Sequence, residues 1–218
     1  MPHTDPKKAW ASLREGNRRF VSGDMRHPSQ NTERREKLVA AQHPKAVLFG
    51  CSDSRVAAEI IFDQGLGDLF VIRTAGHIID SAVLGSIEYA AHILETPLIV
   101  VLGHDSCGAV GAAVEALRTG EIPPGFLRDV VEKVSPSILN GRREGLKSID
   151  DYEARHVLET GELLNQRSKI IHDRIEAGKL AIVGVTYKLS DGRAYLRSVV
   201  GDVEDTPHGP GEEMVAVC

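Results

Sequence analysis

Four short apolar runs constrain what this chain can fold into. They are KAVLFG (45–50), DLFVIRT (68–74), PLIVVLGH (97–104) and LAIVGVTYKL (180–189). Each is too short for a buried helix and almost free of polar alternation. That pattern belongs to strands covered on both faces, as in parallel sheets. Between the second and third runs, DSAVLGSIEYAAHILE (80–95) carries Val83, Ile87, Ala91 and Leu94 at helical spacing, with Asp80 or Ser81 as cap. Strand, helix, strand in succession predicts βαβ units and an α/β fold: a mostly parallel sheet of four to five strands flanked by helices.

The remaining segments fit around that sheet. Asp5-Pro6 starts a helix through residue 20, with Trp10, Leu13 and Phe20 on its apolar face. Residues 32–41 read as a charged surface helix. A small-residue helix follows GHDSCGAVG and runs to about residue 118. GFLRDVVEKVSPSIL forms another, which Pro136 is expected to bend or end. Ser148 and Asp151 match a capping pattern before one long helix to about Ala177. SDG (190–192) then turns the fourth strand into RAYLRSVV, a hairpin edge. Residues 1–200 are expected to form one domain with an N-terminal helical arm. Residues 201–218, acidic and rich in Gly and Pro, are expected to be a flexible tail.

Composition excludes several classes of function. A net charge of −5 over 218 residues disfavours nucleic acid and anionic membranes as partners. The longest apolar run is far too short to span a bilayer, and the first residues lack the apolar centre of a signal peptide. A cytoplasmic location is the expectation. Three cysteines, Cys51, Cys107 and the terminal Cys218, make no disulfide framework.

Cys51 follows the first strand, in FGCSDSRVAAE; His104 and Cys107 follow the third, in GHDSCG. Sites in open α/β sheets form beyond the carboxyl ends of strands. If those two strands are neighbours, two thiols and an imidazole meet at one edge. Either cysteine alone would read as an inert core residue. Together with His104 they form a donor set suited to zinc. Three protein ligands leave a fourth position for water, the arrangement of catalytic rather than structural zinc. Asp53 can accept a hydrogen bond from a hydroxide there, and Arg55 can keep Asp53 ionised and in place. Other readings of these residues are a phosphate-binding turn at GHDSCGAVG, a cysteine hydrolase, or a non-catalytic zinc-dependent sensor. The turn lacks the usual phosphate-loop endings, and a hydrolase leaves one thiol unused.

CSDSR followed by GHDSCG, with DLFVIRTAG, GSIEYA and LIVVLGH between and around them, resembles the β-class carbonic anhydrases, the actinobacterial (mycobacterial-type) members above all. The resemblance covers roughly residues 5–200. It implies Cys51, His104 and Cys107 as zinc ligands, Asp53 and Arg55 as a catalytic dyad, and reversible hydration of carbon dioxide to bicarbonate by zinc-bound hydroxide. Hydrolysis of carbon disulfide or carbonyl sulfide on the same fold is the alternative. It also implies a homodimer or dimer of dimers, with the N-terminal helix packed on the partner subunit and Trp10 and Phe20 exposed for it. In some members the aspartate closes onto zinc at low pH, which makes Asp53 a further candidate ligand. Members regulated by bicarbonate carry a Trp three residues before the first ligand; here that position is Leu48, while Arg73 and Tyr187 match the pocket's other two residues. A substrate-side Gln of plant-like members falls at Gly65, with Gln64 adjacent. His77 and Glu88 are expected to be structural.

Overall fold

The structure, a computed structural model, describes residues 5–210. The strands are Ala46–Cys51 (β1), Leu69–Thr74 (β2), Leu98–His104 (β3), Ala181–Tyr187 (β4) and Ala194–Val200 (β5). They form one sheet in the order β2-β1-β3-β4-β5. The first four are mutually parallel and β5 pairs antiparallel to β4, as the apolar runs and the SDG turn predict. Every residue of β1, β3 and β4 is buried. Leu48, Val100, Leu102, Val183 and Val185 face one apolar layer, and Val47, Phe49, Ile99, Val101 and Ile182 face the other. Two-sided burial explains why these strands read as continuous apolar runs.

Helix α1, Pro6–Ser22, begins where Asp5 accepts the Lys7 N–H at 2.9 Å and ends at Gly23, whose φ is 77°. Its Ala9, Trp10 and Leu13 lie in the first apolar layer of this same chain. Trp10 is 2% exposed and Phe20 packs beside Tyr187, so these side chains are not held out for a partner as the resemblance implies. Asn17 fixes the docking: its amide donates to the Ile61 and Gly192 carbonyls and its oxygen accepts from Ala194 N–H. The expected loose tail also departs from expectation. Val203 is buried, and Asp205 accepts from Trp10 Nε1 at 2.8 Å and pairs with Arg14 at 3.0 Å. Residues 201–210 therefore pack on α1. Residues 211–218, with Cys218, lie outside the described residues.

The other helices are Thr32–Lys37 (α2), Ala58–Ile61 (α3), Ser81–Glu88 (α4), Gly108–Thr119 (α5), Leu127–Arg143 (α6), Ile149–Arg167 (α7) and Lys169–Glu176 (α8). α2 is shorter than the charged stretch suggests, and α4 finishes in a π turn over Tyr89–Ile93. Pro136 does not end α6, which continues to Arg143. Packing of Val131, Val134 and Ile138 in the third apolar cluster offsets the roughly 3 kcal/mol that a helix-interior proline costs. The single long helix expected over 148–177 is broken at Ser168, whose backbone is extended at φ −109°, ψ 109°. Its hydroxyl accepts from Ile171 N–H and donates to Glu88 at 2.6 Å, capping α8 and tying it to the end of α4. Glu88 is thereby structural.

Trp10→Ala should cost about 3–5 kcal/mol in urea-induced unfolding, because the cavity opens inside the chain's own core. A loss below about 1 kcal/mol would contradict that placement.

Candidate metal centre

Parallel pairing puts Gly50 of β1 opposite Leu102 of β3, so the two strands end side by side. Cys51 closes one strand and His104 the other. The next turn passes Ser106, whose φ is 55°, and delivers Cys107 to the N-terminus of α5. Asp105 braces this turn: its N–H donates to the Tyr187 carbonyl and its carboxylate accepts from Leu189 N–H at 2.9 Å. One donor atom each from Cys51, His104 and Cys107 lie within 4.8 Å of one another, and all three residues are buried.

The imidazole is oriented for ligation. His104 Nδ1 lies 2.8 Å from the Asp105 carbonyl, which only accepts, so Nδ1 carries the hydrogen. Nε2 is then left as a lone pair, buried and without a hydrogen-bond partner. A buried, unpartnered acceptor beside two thiols is the donor set that zinc favours. The thiols are themselves unequal. Its neighbour Cys107 pulls the Cys51 thiol below the usual thiol range, against the cost of burial. Cys107 is pushed up by its neighbour Cys51 and by burial. Metal binding takes thiolates, so a cation held here would displace thiol protons.

Asp53 and Arg55 sit at the rim. Arg55 Nε and a terminal nitrogen reach the two Asp53 oxygens at 2.9 and 2.7 Å, and Arg55 N–H adds a third bond. This fork holds the Asp53 carboxyl well below the usual carboxylate range. Asp53 Oδ2 is 3.8 Å from His104 Nε2. The carboxylate is turned to Arg55, and the metal-donor group comprises only the other three residues.

The carbonic anhydrase family matches residues 46–194, a span that contains all five of these residues. The chain belongs to the β-carbonic anhydrase family. It is 63% identical over 203 residues to carbonic anhydrase 2 of Mycobacterium tuberculosis, covering 93% of this chain and 98% of that one. Among solved structures, the β-carbonic anhydrase CcaA superposes with a TM-score of 0.70 at 27% identity, over 96% of this chain and 92% of that one. A tetrameric β-carbonic anhydrase of Sordaria macrospora gives 0.69 at 23% identity, over 87% and 96%.

Other residues singled out in the sequence have different places. Arg73 donates from Nε to the Cys51 carbonyl at 2.9 Å and from a terminal nitrogen to the Asp53 carbonyl. It fixes the strand end that presents both residues. Tyr187 lies across β1 and β3 from it, against Phe20, and Leu48 is core. Gln64 is buried, donating to the Phe62 carbonyl and accepting from Lys45. A Cβ at Gly65 would collide with the Pro28 carbonyl. His77 is sealed from solvent with neither ring nitrogen hydrogen-bonded, and burial and His156 hold its pKa well below the usual value.

Sequence reasoning missed Glu153. It is buried on α7, and its Oε1 accepts the His104 backbone N–H at 3.1 Å. Burial pushes its carboxyl up to about 7, against the opposing influence of His104. Gly103 makes room for it, since a Cβ there would collide with that carboxylate. The paired glycine and acid are separated by fifty positions, so only the packing of α7 on β3 reveals them.

The protein should bind one zinc per chain. Cys107→Ser, which removes a buried sulfur donor, should lower zinc content sharply in elemental analysis after dialysis against a weak chelator. Wild-type zinc content in that variant would contradict the donor set.

Proposed function

We propose that this protein catalyses the reversible hydration of carbon dioxide to bicarbonate and a proton, with zinc held by Cys51, His104 and Cys107. The observation that carries the reading is the Asp53–Arg55 fork lying 3.8 Å from the free nitrogen of His104, beside two thiols. Zinc, when bound, supplies a Lewis acid that makes water nucleophilic near neutral pH. Asp53 is ionised and carries no proton, so it can only accept. It takes the hydrogen bond of the attacking hydroxide and leaves a lone pair free for the carbon of carbon dioxide. Arg55 keeps that carboxylate charged and aimed, and Arg73 holds the backbone beneath it. The proton released in the overall reaction passes to buffer.

Asp53 also has a second role in this reading. Released from Arg55, Asp53, whose Oδ2 lies 3.8 Å from His104 Nε2, would be a fourth residue able to hold the zinc at low pH and so close the site to water. Activity would then rise as the pH becomes mildly alkaline, and the rise would not be the titration of Asp53 itself, which Arg55 holds ionised. Assembly as a homodimer or dimer of dimers belongs to the same proposal. It is supported by β2, an outer strand along which Leu69, Phe70, Val71 and Ile72 remain only half buried.

Arg55→Ala tests the proposal. Its side chain is 53% exposed, so the fold and zinc content should persist. Stopped-flow carbon dioxide hydration should fall roughly 100-fold, the scale set by misplacing a reacting group. Near-normal turnover by the zinc-loaded variant would overturn the role given to the dyad.

A further inference from the structure

His104 finds its acceptor within its own turn. Its Nδ1–H donates to the carbonyl of the next residue, Asp105, at 2.8 Å. That carbonyl belongs to the peptide joining Asp105 to Ser106. The N–H of the same peptide donates to Asp150 Oδ1 of α7 at 3.3 Å. Ser106 has a φ of 55°, in the left-handed region that residues other than glycine rarely adopt. Such a conformation persists where surrounding contacts hold it. The direction of the carbonyl that orients the imidazole is therefore set from outside the turn.

Asp105 supplies the hold. Its N–H donates to the Tyr187 carbonyl at 3.1 Å, and its Oδ1 accepts the Leu189 N–H at 2.9 Å. Tyr187 ends β4 and Leu189 lies in the turn into β5, so one residue is gripped at two points of one edge. A single bond would leave residue 105 free to pivot about it, and the second stops that motion. The edge itself is closed. Lys188 N–H donates to the Arg193 carbonyl and Gly192 N–H to the Lys188 carbonyl, both at 2.9 Å. Leu189 packs on the first apolar layer, and Asn17 of α1 bonds both Gly192 and Ala194.

We infer that Asp105 is a positioning residue for the metal centre: its carboxylate, by gripping the Leu189 N–H, fixes the Asp105 carbonyl that receives His104 Nδ1–H and so leaves Nε2 for the metal. The inference rests on His104 being a zinc ligand. The partner on the far nitrogen of a ligating histidine sets its tautomer and ring orientation, and losing that partner weakens metal binding about 10–100-fold. Here the partner is a backbone carbonyl, which no substitution removes. The carboxylate that aims it is the group a mutation can reach.

Four proteins test it: wild type, Asp105→Ala, Asp105→Asn and Asp105→Glu. Zinc affinity is measured by competition with a chelator, and the visible spectrum is recorded after cobalt substitution. Urea unfolding of the metal-free proteins separates any effect on the fold. Asp105→Ala leaves the Leu189 N–H without its acceptor. It should bind zinc about 10–100-fold more weakly and shift the cobalt bands. Asp105→Asn keeps an oxygen in the same place and loses the charge, so it should recover most of the affinity. A folded Asp105→Ala protein with wild-type affinity and cobalt bands overturns the inference, even if it unfolds at lower urea. So does an Asp105→Asn protein as weak as Asp105→Ala, which would assign the effect to charge. If Asp105→Ala does not fold, Asp105→Glu decides, because it keeps the charge and carries the oxygens one methylene further. Weaker zinc binding with shifted bands then supports the grip, and wild-type values overturn it. A wild-type protein that binds no zinc would instead overturn the metal reading of His104, and the inference with it.

Discussion

The metal centre depends on the parallel pairing of β1 with β3. Hydrogen bonding of these central strands sets Gly50 against Leu102, and that register brings Cys51 to His104. Both strands are buried along their full length, so their polar endings meet in a space that water does not fill freely. A buried imidazole nitrogen without a hydrogen-bond partner is costly on its own, and two buried thiols lie beside it. A divalent cation satisfies all three groups at once. The dyad then follows from chain direction: two residues past Cys51 the chain leaves the sheet, and Arg73 from β2 ties down the carbonyls of Cys51 and Asp53.

Helix α7 supplies the support behind the donors. It lies close on the sheet because Gly103 and Gly184 have no side chains beneath Val157. That approach carries Glu153 to the His104 N–H and His156 to Gly76. A larger residue at Gly103 would displace Glu153 and, with it, the strand end that orients His104. Glycines inside strands weaken a sheet in general. Here they set the distance between a helix and the metal centre.

What was legible in the sequence was local. Cys51, Asp53 and Arg55 lie within five residues, and His104 and Cys107 within four, so their grouping survives any detail of packing. The sheet was legible because double-sided burial leaves a strand no polar alternation. Less local features were hidden. An apolar face on α1 is visible in Trp10 and Leu13, but the pattern does not name the surface it meets, and that surface is the chain's own core. The acidic, Gly- and Pro-rich composition after residue 200 hides the contacts that dock it, among them Asp205 on Trp10 and Arg14 and the buried Val203. Ser168 breaks a helix that its neighbours would continue, because its hydroxyl serves Glu88 on another helix. Glu153, Arg73 and His156 act through backbone groups distant in sequence, and no motif spacing records such partners.

X-ray absorption at the zinc edge of the zinc-loaded protein tests the central claim most directly. The account predicts four ligands: two sulfurs at about 2.3 Å, one imidazole nitrogen at about 2.0–2.1 Å, and one further light atom at a similar distance. A shell with one sulfur or none, or a six-coordinate oxygen environment, would contradict it.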